Sequence, residues 1–521
     1  LSSSSSSKRK VLRIIKQDSE STPEVSAPAK SRRPVRGSHL PLRQRRALKG
    51  SDLPEPVEEP VARVDKAAGP AADQSRRRGR PKAGPQTHPP RSGQGARHEE
   101  GVERKLRSGR DAARRHPVRG DKEREQRRPQ PARKAAAGPQ HFFVAGPRGL
   151  EQELARELAE LGTEAVEAGS GGVRFTGEIA QAWKINLWSR LAIRVLQQVA
   201  HGHYKNEDDL YRAARELPWP EWFPLGRTIA VTTVAHRCPL KSLNFASLKI
   251  KDAVCDRFRD LTGARPDVDA RTPDVPILLY LTEDSYTLYL DLTGEPLNRR
   301  GYRVQAAKAP LNENLAAGML RLAGWTPKMP LLDPMMGGGT ILLEAVLMAL
   351  NIAPGLRRHF AFENLNSFDR VEWARLRKNA QAEQKEKRAL PIYGCDIDPR
   401  MVHATETNLR AAGLLECVTL READALEVEA PARVGVIVSN PPYGVRLEHE
   451  DMAAFYQGLG DNLKRRFAGW NAYLLSADVE LAKHIGLKAS RRTPLFNGPL
   501  ECRLYEYRIV SGQMRRPRAP A

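Results

Sequence analysis

The chain has 521 residues, with 85 Lys and Arg against 62 Asp and Glu, and only five cysteines. No stretch approaches the ~18 uninterrupted apolar residues of a membrane-spanning helix, so no membrane partner is expected. Cys238, Cys255, Cys395, Cys417 and Cys502 form no CxxC pair and no zinc-like cluster, which predicts no metal and plain thiols in a reducing, cytoplasmic compartment.

Residues 1–140 hold 35 basic and 16 acidic side chains and no aromatic, whereas all 31 aromatics follow from Phe142 onward. Of the chain's net charge of +23, +19 belongs to this segment and only +4 to the rest. Such a composition cannot bury enough apolar surface to offset chain entropy and predicts a disordered basic arm. Ser2–Ser7 followed by Lys8-Arg9-Lys10 offers no apolar secretion segment. Runs such as Arg76-Arg77-Arg78-Gly79-Arg80-Pro81-Lys82 suit non-specific contact with a polyanion, RNA above all, by counterion release. Arg78-Gly79-Arg80-Pro81 also resembles the core of a minor-groove AT-hook, and a solubilising extension is the plainer alternative.

Order is expected from His141. His141–Ala145 reads as a strand, and Leu150, Leu154, Leu158 and Leu161 recur at helical spacing. Val173–Thr176 reads as a strand after a glycine turn, and Ile179–Ala200 as one long helix with Trp183, Leu187, Leu191 and Val195 on a face. Ile229–Val234 and Ile277–Leu281 are strands around a helix from Lys241 to about Asp260, with Tyr286–Leu292 a further strand. This mixed α+β pattern names no activity. Arg148–Glu151, Gly171-Gly172-Val173-Arg174-Phe175, Ser242–Asp252 and Arg265–Asp269, however, resemble the THUMP-containing RNA methyltransferases. The resemblance implies that residues 141–293 are a ferredoxin-like/THUMP region that docks on structured RNA.

After a linker and leading helix (294–329), short apolar runs alternate with amphipathic helices, the pattern of a parallel α/β sheet. The expected strands are Leu331–Asp333, Ile392–Asp396, Val418–Leu420, Val434–Ser439, Ala472–Ser476 and Leu504–Ile509, the last antiparallel because no helix precedes it. The helices between are Thr340–Ala349, Trp373–Glu386, Pro399–Ala412, Met452–Phe467 and Ala477–Ile485. This α/β pattern sets a domain over 330–512, which the motifs at its strand ends liken to a methyltransferase domain, followed by a basic tail at 513–521.

Four motifs lie at strand ends. Asp333-Pro334-Met335-Met336-Gly337-Gly338-Gly339-Thr340 is a glycine-rich strand-to-helix turn that lets a ligand approach the main chain, and it lacks both the GxGxxG and the P-loop pattern. Asp396 closes the next strand, where a carboxylate can accept both ribose hydroxyls, and Asp398 suits a helix N-cap. Asp424-Ala425 could meet an adenine amino group, or be a solvated loop acid. Asn440-Pro441-Pro442-Tyr443 follows a β-branched strand, and two prolines stiffen the chain there. An exocyclic base nitrogen is a poor nucleophile. The Asn oxygen and a proline carbonyl can accept its N–H groups while it attacks a methyl sulfonium, and a Tyr face can hold a base swung from its stack.

Asn-Pro-Pro-Tyr in this context resembles the class I S-adenosylmethionine-dependent amino methyltransferases, which act on adenine N6, guanine N2 or glutamine amide. The resemblance implies a Rossmann-like fold in which Asp333, Pro334, Gly337, Gly338, Gly339 and Thr340 line the methionine part of the cofactor. Asp396 would hold its ribose and Asp424 with Ala425 face its adenine, while Asn440, Pro441, Pro442 and Tyr443 hold the target amine, Asn440 also bordering the cofactor. Arg299-Arg300-Gly301-Tyr302-Arg303, Ala309–Ala317 and Asn497–Cys502 further resemble the large-subunit ribosomal RNA guanine-N2 methyltransferases. Where that family usually has Cys-Gly-Ser-Gly-Thr, this chain has Met336-Gly337-Gly338-Gly339-Thr340. The bifunctional members carry a second methyltransferase domain, so one activity is expected here. The implied substrate is 23S rRNA or a precursor large-subunit particle. Methylation of tRNA at guanine N2 or adenine N6, and a non-catalytic RNA-binding or assembly factor, remain alternatives.

Overall fold

A computed structural model of the chain describes residues 139–304, 311–442 and 449–510. The basic arm up to residue 138, Ala309-Pro310, Tyr443 and the tail at 513–521 lie outside the described residues. Two seven-stranded sheets organise the rest.

The first sheet contains β1 (Gln140–Ala145), β2 (Glu167–Gly169), β3 (Gly172–Gly177), β4 (Arg194–His203), β5 (Ile229–Ala235), β6 (Val275–Leu281) and β7 (Ser285–Asp291), in the order β2-β3-β1-β4-β7-β6-β5. All its pairings are antiparallel except β5 with β6, which are joined by a 20-residue helix, Leu243–Thr262, as a parallel crossover requires. Glu151, in the first turn of the helix Glu151–Glu160, accepts hydrogen bonds from the backbone N–H groups of Gly149 and Gly171, at 2.8 and 3.1 Å. It thereby ties together two of the four segments, Arg148–Glu151 and Gly171–Phe175, that carry the family likeness.

The long helix expected over Ile179–Ala200 is instead a helix, Ile179–Trp188, followed by β4. The cause is a distant carboxylate. Buried Glu157, on the preceding helix, accepts hydrogen bonds from Ser189 Oγ and from the N–H groups of Arg190 (2.9 Å) and Leu191 (3.2 Å). Those donors are no longer available to extend the helix, and the chain turns out. The correction matters because β4 pairs with β1 on one side and β7 on the other, so it joins the two halves of the sheet. The helices Glu207–Glu216 and Trp219–Trp222 and the short β2 were also not foreseen.

The second sheet contains β8 (Leu331–Asp333), β9 (Ile392–Asp396), β10 (Thr419–Glu422), β11 (Gly435–Ser439), β12 (Trp470–Ser476), β13 (Arg491–Asn497) and β14 (Leu500–Arg508). Their order is β10-β9-β8-β11-β12-β14-β13. The first five run parallel, and β14 is antiparallel to β12 as expected. The expected strand Leu504–Ile509 turns out to be one arm of a hairpin whose other arm, β13, was not anticipated. Residues of β13 such as Arg491, Arg492 and Thr493 lack strong apolar alternation, and they are exposed or half-buried on the strand's faces. The helices Thr340–Ala349 and Pro399–Ala412 match their expected bounds, whereas Arg370–Ala382, His449–Arg466 and Val479–Lys483 are shifted or shortened.

The Arg-Arg-Gly-Tyr-Arg segment forms the seam between the halves. Arg300 pairs with Glu344, both fully buried, and Tyr302 donates its hydroxyl to the same Glu344 oxygen at 3.0 Å. Arg190, from the first half, donates to the carbonyls of Leu347 and Ile352 at the far end of that helix. Helix Thr340–Ala349, which begins at the glycine turn, is thus held along its length by residues from outside its own sheet.

Candidate active site

Parallel strands release their loops at one edge, and β8, β9, β10 and β11 end there with Asp333, Asp396, the Asp424 turn and Asn440. The glycine turn is shaped by its neighbours. Gly337 and Gly339 have φ of +52° and +77°, conformations that a side chain strains. A Cβ on Gly339 would also stand 2.6 Å from Thr405 Cγ2. Thr405 Oγ1 donates to the carbonyl of Gly337 at 2.7 Å, and Asn408 Nδ2 to that of Gly338 at 3.0 Å. Those carbonyls are secured on one side, while a Cβ on Gly337 would meet nothing within 4 Å among the described residues. Arg303 Nη2 donates to Thr340 Oγ1 at 3.2 Å and pairs with Glu313 at 3.1 Å, and the Val304 N–H donates to Asn408 Oδ1.

Asp333 is buried, accepting from Ser439 Oγ at 2.6 Å and from the Met335 N–H at 3.3 Å. Burial pushes its carboxyl up to about 7; the hydrogen bonds from Ser439 and Met335 oppose the shift, and the negative charge of Asp396 adds to it. Asp396 accepts from the N–H groups of Gly337 and Asp398, each at 3.0 Å, and burial raises its carboxyl as well. Asp398 caps the following helix through the Arg400 N–H. Two carboxylates that burial makes reluctant to ionise, one on either side of a glycine turn, are a setting that a cationic ligand relieves. Asp424 accepts from the Leu426 N–H at 2.8 Å and so shapes its own turn, with Ala425 buried beside it.

Asn440 follows the last residue of β11. Its side-chain oxygen is buried and has no hydrogen-bond partner among the described residues. A buried carbonyl oxygen without a donor costs about 1–3 kcal/mol, so this oxygen is free to accept a further hydrogen bond as far as the described residues go. Pro441 is buried and Pro442 exposed, and the Pro442 carbonyl accepts from Tyr456 Oη at 3.3 Å. The structure therefore brings Asp333, Pro334, Gly337–Thr340, Asp396, Asp424, Ala425 and Asn440–Pro442 to one edge. Sequence reasoning missed Arg303, Thr405, Asn408, Ser439 and Tyr456. Thr405 and Asn408 did leave a trace, as polar residues on the buried face of an amphipathic helix.

Three family models match this chain: an RlmL ferredoxin-like domain over residues 141–196, a THUMP domain over 204–291 and an RMKL-like methyltransferase domain over 300–506. It is 40% identical over 370 residues to the "Putative RNA methyltransferase slr0064" of Synechocystis, a match covering 71% of this chain and 96% of that protein. The chain belongs to the THUMP-containing, RMKL-like methyltransferases. It is also 39% identical to the ribosomal RNA large subunit methyltransferase K/L of Aeromonas salmonicida, over 71% of this chain but only 54% of that protein. The chain thus spans about half the length of its K/L relatives. A solved structure, "SMU.472, a putative methyltransferase complexed with SAH", superposes with a TM-score of 0.67 at 29% identity, covering 73% of this chain and all of that one.

The methyl donor of this methyltransferase is S-adenosylmethionine. The residues present suit it, since its positive charges answer Asp333 and Asp396, and Asp396 keeps lone pairs for ribose hydroxyls beyond the two N–H groups it binds. Among the described residues no helix is long and apolar enough to cross a membrane, and no group of three or more His, Cys, Asp or Glu could hold a metal ion.

Proposed function

We propose that the chain methylates RNA, transferring a methyl group to the exocyclic N2 amine of a guanine in 23S ribosomal RNA. The observation that carries the amine as target is the buried oxygen of Asn440, which has no partner among the described residues, at the edge where the glycine turn and Asp396 also lie. When bound, S-adenosylmethionine supplies an electrophilic methyl on a positively charged sulfur. The chain's own part is to hold and polarise the amine. Asn440 Oδ1 accepts one N–H of the amine, and the Pro441 carbonyl is the neighbouring acceptor for the other. Both acceptors draw the lone pair out of conjugation and stabilise positive charge on nitrogen as the N–C bond forms and the C–S bond breaks. The surplus proton leaves the product amine to water, so no side chain of shifted pKa is required. Tyr443 as a stacking face for the flipped base rests on the Asn-Pro-Pro-Tyr motif.

Asp333 with Pro334, Gly337, Gly338, Gly339 and Thr340 would hold the methionine part, Asp396 the ribose, and Asp424 with Ala425 the adenine. The THUMP domain and the names of the relatives support RNA as the polymer, and the K/L relatives support the large ribosomal subunit. The test is nucleoside mass spectrometry of separated 23S rRNA and tRNA from cells with and without the gene. Loss of N2-methylguanosine from 23S rRNA is expected. Loss confined to tRNA, or loss of N6-methyladenosine instead, would overturn the assignment.

A further inference from the structure

A Pro-Pro segment has a particular weakness as a catalytic scaffold. Neither proline carries an N–H, so the turn after β11 cannot be fastened by its own backbone donors there. Fixed φ angles make Asn440–Pro442 stiff, yet a stiff turn can still pivot as a body about its ends. The structure shows a hydroxyl at each end.

At the first end, Ser439 interrupts the buried apolar run Val436-Ile437-Val438 and is itself fully buried. A hydroxyl in such a place is costly unless paired. It donates to Asp333 Oδ1 at 2.6 Å, across from β11 to the end of β8. At the second end, Tyr456 from helix His449–Arg466 is fully buried, and its Oη donates to the carbonyl of Pro442 at 3.3 Å. The same Oη lies 3.5 Å from Ser476 Oγ at the end of β12. The turn is therefore tied to the end of β8 at one side and to Tyr456 of the following helix at the other, and the Asn440 oxygen between the two ties has no partner among the described residues.

We propose that Ser439 and Tyr456 are positioning residues for methyl transfer, their hydroxyls anchoring the two ends of the Asn440–Pro442 turn. The inference rests on the reading of Asn440 as the acceptor for the target amine. Ser439 also binds the carboxylate that opens the glycine turn, so one hydrogen bond sets the spacing between the methyl-donor loop and the methyl-acceptor loop. A reacting pair misplaced by a fraction of an ångström loses rate while each ligand still binds.

The test uses the full chain, radiolabelled S-adenosylmethionine and whichever RNA the wild-type chain labels, 23S rRNA or tRNA. Ser439→Ala, Tyr456→Phe and Asn440→Ala are compared by single-turnover rate at saturation, by calorimetric affinity for S-adenosylmethionine, by RNA affinity and by Tm. Ser439→Ala and Tyr456→Phe should each lower the rate at saturation about 10-fold or more, with RNA affinity within about two-fold of wild type in both and S-adenosylmethionine affinity within about two-fold in Tyr456→Phe. In an Asn440→Ala background, followed through long incubations, each should lower the residual rate by clearly less than it does in the wild type, because part of its effect passes through Asn440. A Tm drop with an unchanged rate would make both hydroxyls merely structural and overturn the proposal. Losses that multiply with that of Asn440→Ala would do the same. Full activity of Asn440→Ala would instead remove the reading of Asn440 on which the proposal stands.

Discussion

The two sheets have the same number of strands and opposite habits. In the first, neighbours alternate in direction apart from one parallel pair, so successive loops leave from both ends and no edge gathers them. In the second, five strands run parallel, and Asp333, Asp396, the Asp424 turn and Asn440 leave from one edge. Convergence of distant motifs is a property of strand direction, whatever the residues are. Two buried side chains illustrate the contrast. Glu157 in the first half meets three donors and shapes the chain, whereas at the second sheet's edge the Asn440 oxygen has no partner among the described residues.

If the contrast is right, damage to the second sheet's edge should remove chemistry and spare folding. Asn440→Ala should lower the single-turnover rate by about 10²–10³-fold, the scale for losing one transition-state acceptor or donor, with cofactor affinity nearly unchanged by calorimetry. Damage to the first half should do the reverse. Glu157→Ala strands three donors and should cost about 2–4 kcal/mol in urea unfolding, with the affinity of the remaining folded protein for S-adenosylmethionine intact. Gly339→Ala falls between. An alanine at φ of +77° that also crowds Thr405 costs about 1–2 kcal/mol, and this should appear as weaker cofactor binding.

Asp333 gives the comparison a pH axis. Its carboxyl titrates at about 7 in the folded chain against an ordinary 3.8, so between those values the folded state holds a proton that the unfolded state has released. Stability from this group is therefore greatest at the acid end of that window and declines as pH rises through about 7. Asp333→Asn should gain relative stability above pH 7 and none near pH 4, measured by unfolding at several pH values. A cationic ligand favours the ionised carboxylate, so S-adenosylmethionine should bind more tightly as pH rises through 7, with proton release that calorimetry in two buffers detects; Asp333→Asn should flatten that dependence. The smallest effect is expected from deleting residues 1–140, which should weaken RNA affinity and flatten its salt dependence while leaving cofactor affinity unchanged.

Much of the site was legible because its parts are local. A glycine turn, an acid at a strand end and Asn-Pro-Pro-Tyr each announce themselves within a few residues, and helices with clear caps, such as Pro399–Ala412 after Asp398, matched their expected bounds. What was not legible depends on partners far along the chain. Ile179–Ala200 has helical spacing throughout, and only Glu157, more than thirty positions earlier, ends the helix at Trp188. β13 carries too little apolar alternation to be seen because most of its residues stay exposed or half-buried.

The sequence by itself pointed to the class of chemistry, methyl transfer, since the residues proposed to hold a cofactor and an amine are written contiguously and their backbone needs are local. The tertiary structure alone decided how those residues are held. Thr405 and Asn408 fasten the glycine turn, Arg303 reaches Thr340, and Ser439 and Tyr456 secure a turn that has no proline N–H to secure itself. Those hydrogen bonds join positions tens of residues apart or more in most cases, and a hydroxyl in a strand or helix shows nothing of its partner until the fold brings one within 3 Å or so.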